Sequence, residues 1–270
     1  MQEKSTIKKS PETLHLLIED AREAAENMAR DEALFRLACG RNLAILRFYG
    51  WSRPSLSVGH FQDIKKHFDH EKIMKDSLPL VRRLTGGRGV MHSHELTYCF
   101  AMSSSLMDPF NKRSVFKFVN GLFLAAFAGI GVNALLKDRS DPSCSREHLS
   151  GDCFRSVSEY EVAQVDGMKL IGSAQMITSE GVLQQGSIPL NRSPEAGREI
   201  GDYLLRPPET DSPAPRTERG PFLDAIQSEL KTAFKTVYLN RIVPDDIEIG
   251  KLVADRYANP EWTWRPVSAQ

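Results

Sequence analysis

The segment Arg82–His92, with the sequence RRLTGGRGVMH, limits the possible folds most, because it places three glycines between two stretches of strand-like composition. Those stretches are Leu80–Arg83 and Glu95–Ser103. Glycine has no Cβ, so this backbone can adopt positive φ angles and can approach a bound ligand closely. The flanking arginines supply charge for a carboxylate, a phosphate or an acidic surface. The segment predicts a tight connection between strands, either a ligand loop or a plain glycine hairpin with solvated arginines. A Walker A loop is excluded because no Gly-Lys-Ser/Thr follows.

Helical and strand-like patterns alternate along the rest of the chain. Apolar residues at three- and four-residue steps predict helices over the ranges 12–39, 114–136 and 221–239. Runs of β-forming residues predict strands over the ranges 43–49, 55–58, 160–165, 168–176 and 181–189. Asp166-Gly167 predicts a hairpin turn within a meander, whereas Lys137–Asp152 and the proline-rich range 191–219 predict irregular connections.

Charge and cysteine content exclude several classes of protein. The 270 residues contain 35 Lys+Arg and 35 Asp+Glu, so the chain lacks the basic excess that a nucleic-acid partner requires. Four cysteines at irregular spacing are too few for a disulfide scaffold or a CxxC metal site, which indicates a reducing cytoplasm. The N-terminal residues lack the apolar core of a signal peptide, and the most apolar stretch, Gly121–Val132, is shorter than the ~20 residues of a membrane-spanning helix. Neither export nor a membrane partner is expected.

A second segment with candidate chemistry is Gly151-Asp152-Cys153-Phe154, which is followed by Lys169 and the sequence IGSAQ. A thiol at the edge of a polar loop is accessible, and a nearby ammonium group could activate it and transfer a proton to a leaving group. The alternative is that Cys153 is a small buried hydrophobic residue. Cys39 and Cys99 lie in helical and strand patterns and are predicted to be structural.

Six segments in the same order resemble the biotin/lipoate protein ligase superfamily, and most closely its cysteine-bearing lipoyl(octanoyl)transferase branch. They run from about Asn27 to Trp264 and read NMARDEALF, RPSLSVGHFQD, RRLTGGRGVMHSHELTYCF, SEYEVAQVDGMKLIGSAQ with Cys153-Phe154 before it, GVLQQGSIPL and YANPEWTW. The resemblance implies an α+β fold in which a mixed, mainly antiparallel sheet is flanked by helices. It also implies one acyltransferase catalytic domain over residues 27–264, with residues 1–26 as a helical N-terminal extension of the same domain.

The resemblance also assigns roles to individual residues. In that branch a cysteine is the nucleophile and a lysine acts at the thioester carbonyl, roles that fall on Cys153 and Lys169. The implied substrate-binding residues belong to the glycine loop and to the sequence after the lysine: Arg82, Arg83, Gly86, Gly87, Arg88, His92, Gly172, Ser173 and Ala174. Gly89 and Ser93 stand where the family more often has alanine and aspartate, which leaves the acyl length open.

These roles imply an octanoyltransferase of lipoate biosynthesis. An octanoyl group would pass from octanoyl-acyl carrier protein to Cys153 and then to a lysine of a lipoyl-domain acceptor such as the glycine cleavage H protein. The donor is already a thioester, so neither ATP nor another cofactor or metal is expected. The alternatives are an ATP-dependent lipoate-protein ligase, a lipoyl amidotransferase between lipoyl domains, and a non-catalytic binding relative in which Cys153 is structural.

Acyl carrier proteins and lipoyl domains are generally acidic, so a chain of zero net charge that serves them should present a local basic surface. The candidate residues come from the glycine loop and the polar loop: Arg82, Arg83, Arg88, Lys137, Arg139 and Arg146.

Overall fold

A computed structural model of the chain describes residues 7–93, 95–137, 161–164, 168–190, 200–205 and 217–265. The predicted nucleophile Cys153, the turn Asp166-Gly167 and the basic residues Arg139 and Arg146 lie outside the described residues. Within the described ranges, no helix is both long enough and apolar enough to cross a membrane.

Strands and helices alternate along the described ranges. The strands are β1 (Thr13–Ile18), β2 (Ala44–Tyr49), β3 (Ser55–Val58), β4 (Leu80–Arg82), β5 (Val90–His92), β6 (Glu95–Ser103), β7 (Ala134–Leu136), β8 (Val162–Gln164), β9 (Gly172–Ile177), β10 (Gly181–Pro189) and β11 (Thr236–Leu239). The α-helices are α1 (Ala24–Arg41), α2 (Ile64–His67), α3 (His70–Lys75), α4 (Lys112–Gly129), α5 (Arg219–Ala233), α6 (Asp246–Leu252) and α7 (Pro260–Trp264). Short 3₁₀ segments lie at Ser104–Leu106 and Ile200–Tyr203, and a π-helical turn lies at Val253–Tyr257.

The central sheet has six strands in the order β11-β1-β2-β6-β10-β9. β11, β1 and β2 are parallel to one another, whereas β2, β6, β10 and β9 are joined by antiparallel pairs. The longest pairing, between β6 and β10, extends from Glu95 opposite Pro189 to Ser103 opposite Gly181. This architecture confirms the predicted α+β fold with a mixed, mainly antiparallel sheet.

Helices cover both faces of the central sheet. On one face, Phe48 forms a cluster with Phe123 of α4 and Phe222 of α5. On the other face, Ile45 and Tyr49 form a cluster with apolar residues of α1. Every residue of β2 is therefore buried, which explains why its sequence AILRFY is nearly continuous in apolar residues instead of alternating with polar ones.

A smaller sheet positions the glycine segment. Its three strands are ordered β4-β3-β5, with β3 parallel to β4 and antiparallel to β5. Residues 83–89 join β4 to β5, so the segment is a tight connection between strands, as predicted. The second of these strands is Val90–His92 and not the predicted Glu95–Ser103, which forms β6 of the central sheet.

Three stretches that were predicted to be helical are strands. Thr13–Ile18 pairs with β2 and β11, so the predicted helical extension over residues 1–26 is wrong at these positions. Ala134–Leu136 forms β7 after α4 has ended at Gly129, and Thr236–Leu239 forms β11 after α5 has ended at Ala233. Apolar residues on both faces of a short strand also produce three- and four-residue steps, so local spacing does not separate the two structures.

The predicted meander is present only in part. β9 pairs with β10 as expected, but β8 pairs with β7. The residues that flank 165–167 are joined by a 2.8 Å backbone hydrogen bond from Gln164 N–H to the Met168 carbonyl and by a bridge between Ala163 and Lys169. The predicted turn Asp166-Gly167 itself lies outside the described residues.

Candidate active site

The glycine loop, residues 83–89, packs closely against its neighbours, and two glycines make this packing possible, one in the loop and one beside it. Gly87 has φ +87°, and a Cβ there would lie 3.0 Å from Arg83 Nη2 and 3.5 Å from the Ala174 Cβ. A Cβ on Gly59, in the segment RPSLSVGHFQD, would lie 1.9 Å from the Gly87 carbonyl oxygen. The loop therefore fits between the end of β3 and the start of β9.

Arg83 holds this loop in its shape. Its Nη2 donates to the carbonyl oxygens of Gly86 (2.8 Å) and Arg88 (2.7 Å). Its Nη1 donates to the carbonyl oxygen and the hydroxyl of Ser57, at 3.2 and 3.1 Å. The guanidinium is buried, so these bonds replace the water that it loses.

A narrow cleft, with a cavity volume of about 30 Å³, opens beside the loop. Its lining residues are Met28, Tyr49, Trp51, Ser57, Arg83, Val90, His92, Thr97, Gly172, Ser173, Ala174, Gln185, Gly186 and Ser187. The predicted residues Arg83, His92 and 172–174 are thus brought together. Arg82, Gly86, Gly87 and Arg88 do not line the cleft, although a Cβ added to Gly87 would lie 3.5 Å from the Ala174 Cβ.

One wall of the cleft is a chain of hydrogen bonds through His92. Its Nδ1 lies 2.6 Å from Glu95 Oε1, and its Nε2 lies 2.7 Å from the Ser57 hydroxyl. The imidazole stacks on Trp51 with ring centroids 3.8 Å apart, and Trp51 Nε1 donates to the Thr97 hydroxyl at 2.8 Å. An ionised carboxylate only accepts, so Nδ1 of His92 carries a proton and Glu95 fixes the orientation of the ring.

A second wall is backed by helix α1 through Asp31. Its carboxylate accepts from Arg47 Nη1 (2.7 Å), Tyr49 OH (2.8 Å) and Gln185 Nε2 (2.7 Å). Gln185 Oε1 in turn accepts from the Thr85 hydroxyl at 2.9 Å, which ties the start of the glycine loop to β10. Burial, together with the Asp31 carboxylate, raises the pKa of Tyr49 well above its usual value.

The third wall is β9, the edge strand of the central sheet in the described part of the chain. Ser173 Oγ lies 2.8 Å from the hydroxyl of Tyr98, which also accepts from Gln184 Nε2 at 2.7 Å. The Tyr98 ring crosses Gly186, where a Cβ would lie 2.2 Å from Cε1 of the ring. Burial is the main cause that raises the pKa of the Tyr98 hydroxyl above its usual value, so this hydroxyl stays protonated.

Lys169 precedes this strand and is paired with a buried carboxylate. Its Nζ lies 2.9 Å from Glu161 Oε1, and both side chains are only 4% exposed. The backbone N–H of Lys137 donates to the Glu161 carbonyl at 3.0 Å, so the described residues on either side of 138–160 meet at this point. Cys153 lies in that interval of the sequence, eight residues before Glu161.

The sequence matches a known family over most of its length. Residues 23–219 match the family model described as the lipoyl protein ligase A/B catalytic domain. The chain belongs to the lipoyl protein ligase A/B family. The octanoyltransferase LipM of an Exiguobacterium strain is 32% identical to it over 94% of this chain and 98% of that protein. The octanoyltransferase LipM of Bacillus subtilis is 30% identical over 89% of this chain and 94% of that protein.

Solved structures of the lipoyl protein ligase A/B family share the fold. The crystal structure of a lipoate-protein ligase A bound with ATP is 19% identical, covers 93% of this chain and 98% of that chain, and has a TM-score of 0.72. The bi-partite lipoate protein ligase of Thermoplasma acidophilum is 18% identical, covers 97% and 99%, and also has a TM-score of 0.72. At these identities the likeness concerns the architecture.

In this member of the family, Arg82 faces away from the cleft. Its Nε donates to the Thr263 carbonyl at 3.0 Å, and its Nη1 donates to three carbonyl oxygens within residues 59–62. Burial and the neighbouring Arg265 lower the pKa of Arg82 to about 10. Successive strand residues point to opposite faces, so Arg82 secures the C-terminal helix α7 while Arg83 secures the glycine loop.

The sequence predicted a basic surface, and this prediction is wrong for three of the residues assigned to it. Arg82, Arg83 and Lys137 are buried, with at most 5% of each exposed, so they cannot meet an acidic partner. Of the remaining candidates, Arg88 is half-buried and the other two lie outside the described residues.

Sequence reasoning missed several residues of the site: Gly59, Trp51, Asp31, Glu95, Gln185 and Glu161. Most of them lie inside the segments that carry the family resemblance, such as NMARDEALF for Asp31 and SEYE for Glu161. Each segment as a whole indicated the family. The neighbouring sequence, however, does not distinguish Asp31 from the acidic residue that follows it. Only the contacts made across the fold do so.

Proposed function

We propose that this enzyme moves an octanoyl group from octanoyl-acyl carrier protein, through a thioester on Cys153, to a lysine of a lipoyl-domain acceptor, with the glycine cleavage H protein as the first acceptor to test. The likeness to octanoyltransferases over nearly the whole chain carries this proposal. The cleft lined by residues 172–174, which follow Lys169 in the sequence, supports it, because apolar residues suited to an acyl chain meet polar residues suited to its carbonyl group. We place this reaction in the cytoplasm.

The first half-reaction exchanges one thioester for another. The sulfur of Cys153 attacks the carbonyl carbon of the donor thioester, and the carbon–sulfur bond to the carrier breaks. The thiol proton of Cys153 ends on the carrier thiol. Both bonds are thioesters, so the exchange needs neither ATP nor a redox partner.

The second half-reaction forms an amide. The neutral ε-amine of the acceptor lysine attacks the octanoyl carbon, the bond to Cys153 Sγ breaks, and the proton released by nitrogen returns to the thiolate. Lys169 is assigned to the carbonyl oxygen, where its positive charge stabilises the oxyanion that develops in both steps. Backbone N–H groups of β9 that point away from β10 can assist.

The walls of the cleft hold the acyl group. Met28, Tyr49 and Val90 supply apolar surface for the chain, and Arg83, together with Gly87, fixes the loop that closes over it. The wall residues Ser173 and Ala174 lie four and five residues after Lys169 in the sequence, so we assign the carbonyl end of the acyl group to the β9 wall. These substrate-binding roles are part of the proposal.

Intact-mass measurement after incubation with octanoyl-acyl carrier protein tests the assignment. We expect one added octanoyl group on the wild-type chain and on Cys39→Ala, and no addition on Cys153→Ala. Transfer of the group to the glycine cleavage H protein should follow. An octanoyl adduct that persists in Cys153→Ala would contradict the proposal.

The same assay separates the two other activities. Formation of lipoyl-adenylate from lipoate and ATP, retained in Cys153→Ala, would identify a lipoate-protein ligase. Transfer from an octanoylated H protein to a second lipoyl domain, in the absence of the acyl carrier donor, would identify an amidotransferase.

A further inference from the structure

Glu161 is a buried carboxylate to which the proposed reaction gives no role. Its Oε1 lies 2.9 Å from Lys169 Nζ, and neither side chain is more than 4% exposed. Moving a carboxylate or an ammonium group out of water is unfavourable unless the other compensates its charge. The two side chains therefore act as a unit.

The backbone fixes the geometry of this pair. Ala163 is bridged to Lys169 in an antiparallel arrangement, and the Leu170 N–H donates to the Val162 carbonyl at 2.9 Å. Glu161 lies two residues before Ala163, so its side chain is on the same face as Ala163 and Lys169. Glu161 and Lys169 are thus diagonal neighbours, a distance that long side chains can bridge.

The pair is also close to the cleft. The Leu170 and Ile171 N–H groups donate to the Val162 carbonyl at 2.9 and 3.4 Å, and the next residue, Gly172, lines the cleft. The Tyr98 hydroxyl lies 2.8 Å from Oγ of Ser173, a residue of the cleft wall. The Glu161–Lys169 pair therefore lies close in the backbone to the start of β9, which forms one wall of the cleft.

We propose that Glu161 is a positioning residue that holds the Lys169 amine in one orientation for the thioester carbonyl oxygen. The inference rests on the proposed function, in which Lys169 stabilises the oxyanion. An ammonium group has three N–H donors, so a hydrogen bond to Glu161 is compatible with one to the substrate.

The substitution Glu161→Gln tests this role, because it keeps the shape of the side chain and removes its charge. We expect kcat for octanoyl transfer to fall by about 10- to 100-fold, less than the ~10²–10³-fold typical of losing an oxyanion donor itself. The KM for octanoyl-acyl carrier protein should stay within about 2-fold, because the walls of the cleft are unchanged.

The matched control is Glu12→Gln, which removes the carboxylate of an exposed ion pair. Glu12 Oε1 lies 2.6 Å from Lys235 Nζ, and the two side chains are 66% and 73% exposed. Exposed pairs contribute little, so we expect wild-type kcat and KM in this variant.

A double-mutant cycle with Lys169→Met separates positioning from general stability. If Glu161 acts through Lys169, adding Glu161→Gln to Lys169→Met causes no further loss of kcat. Wild-type kcat in Glu161→Gln, or an equal loss with and without Lys169, would overturn the proposal. Octanoylation of the wild-type chain tests the proposed transfer without involving Glu161. Failure of the Glu161 proposal can therefore be told apart from failure of the proposed function.

Glu161→Asp keeps the test decisive if the glutamine variant does not fold. Aspartate retains the charge but is shorter by one methylene, so it changes the position of the Lys169 ammonium. We expect a kcat several-fold below that of the wild type with unchanged KM. A kcat equal to that of the wild type would overturn the proposal.

Discussion

Asp31 shows how one buried side chain can organise a cleft that it does not line. Three donors from β2 and β10 converge on its two oxygens: Arg47, Tyr49 and Gln185. Asparagine at this position would offer one acceptor in place of two and would turn an N–H group toward a donor. The buried Arg47 would also lose a charged partner and retain only Glu19, at 2.6 Å.

We therefore expect Asp31→Asn to lower the free energy of unfolding by about 3 kcal/mol, the lower end of the effect of breaking a buried ion pair. Urea unfolding measures this change. The control is Asp246→Asn, since Asp246 is 80% exposed and lies 3.5 Å from Arg30. That variant should lose less than about 1 kcal/mol, and a loss of similar size in both variants would contradict this assignment.

The glycine loop is the element that makes the site, and two adjacent glycines in it have different roles. Gly87 has φ +87° and lies close to Arg83, whereas a Cβ on Gly86 would meet no atom within 4 Å. Residues with a side chain rarely adopt the backbone conformation of Gly87, and a Cβ there would press on the Arg83 guanidinium that holds the loop. The difference follows from the packing of the loop and not from its composition.

Gly87→Ala should destabilise the chain by roughly 1–2 kcal/mol and raise the KM for the acyl donor, because the backbone conformation is strained and the Cβ would displace the Arg83 guanidinium that holds the loop. Gly86→Ala should leave both quantities nearly unchanged. Thermal unfolding and steady-state kinetics on the two variants measure these effects. Equal behaviour of the two variants would show that the loop does not hold this conformation in solution.

The stability of the whole molecule depends on pH, because folding partly buries three histidines. Burial lowers the pKa of His15, of His60 and of His67 from the usual value of 6.5, and Arg265 adds to the effect on His60. These folded-state values lie below those of the unfolded chain, so the unfolded chain binds more protons as the pH falls. The free energy of unfolding should therefore have its full value above about pH 6.5 and should decrease as the pH falls through the folded-state pKa values of the histidines.

Urea unfolding between pH 7 and pH 5 measures this decrease, which we expect to be below about 1 kcal/mol per histidine because the rings are partly exposed. His60→Gln removes one contribution, so its stability should change less over this range. A pH dependence identical to that of the wild type would contradict the role assigned to His60.

Patterns in the sequence alone were enough to identify the family and the class of fold. The glycine loop, Lys169 with the sequence after it, and the order of the segments identified the family, and runs of β-forming residues located most strands of the central sheet. These features are local, because they depend on residue type and short spacing.

Only the tertiary structure decided which side chains serve the site. Arg82 and Arg83 are adjacent and chemically identical, yet the first binds Thr263 near the C-terminus and the second holds the glycine loop. β1 is a strand because β2 and β11 pair with it from distant parts of the chain. Side-chain direction in a strand, and the partners that a buried charge finds, are set by contacts between residues far apart in sequence, and local patterns do not encode those contacts.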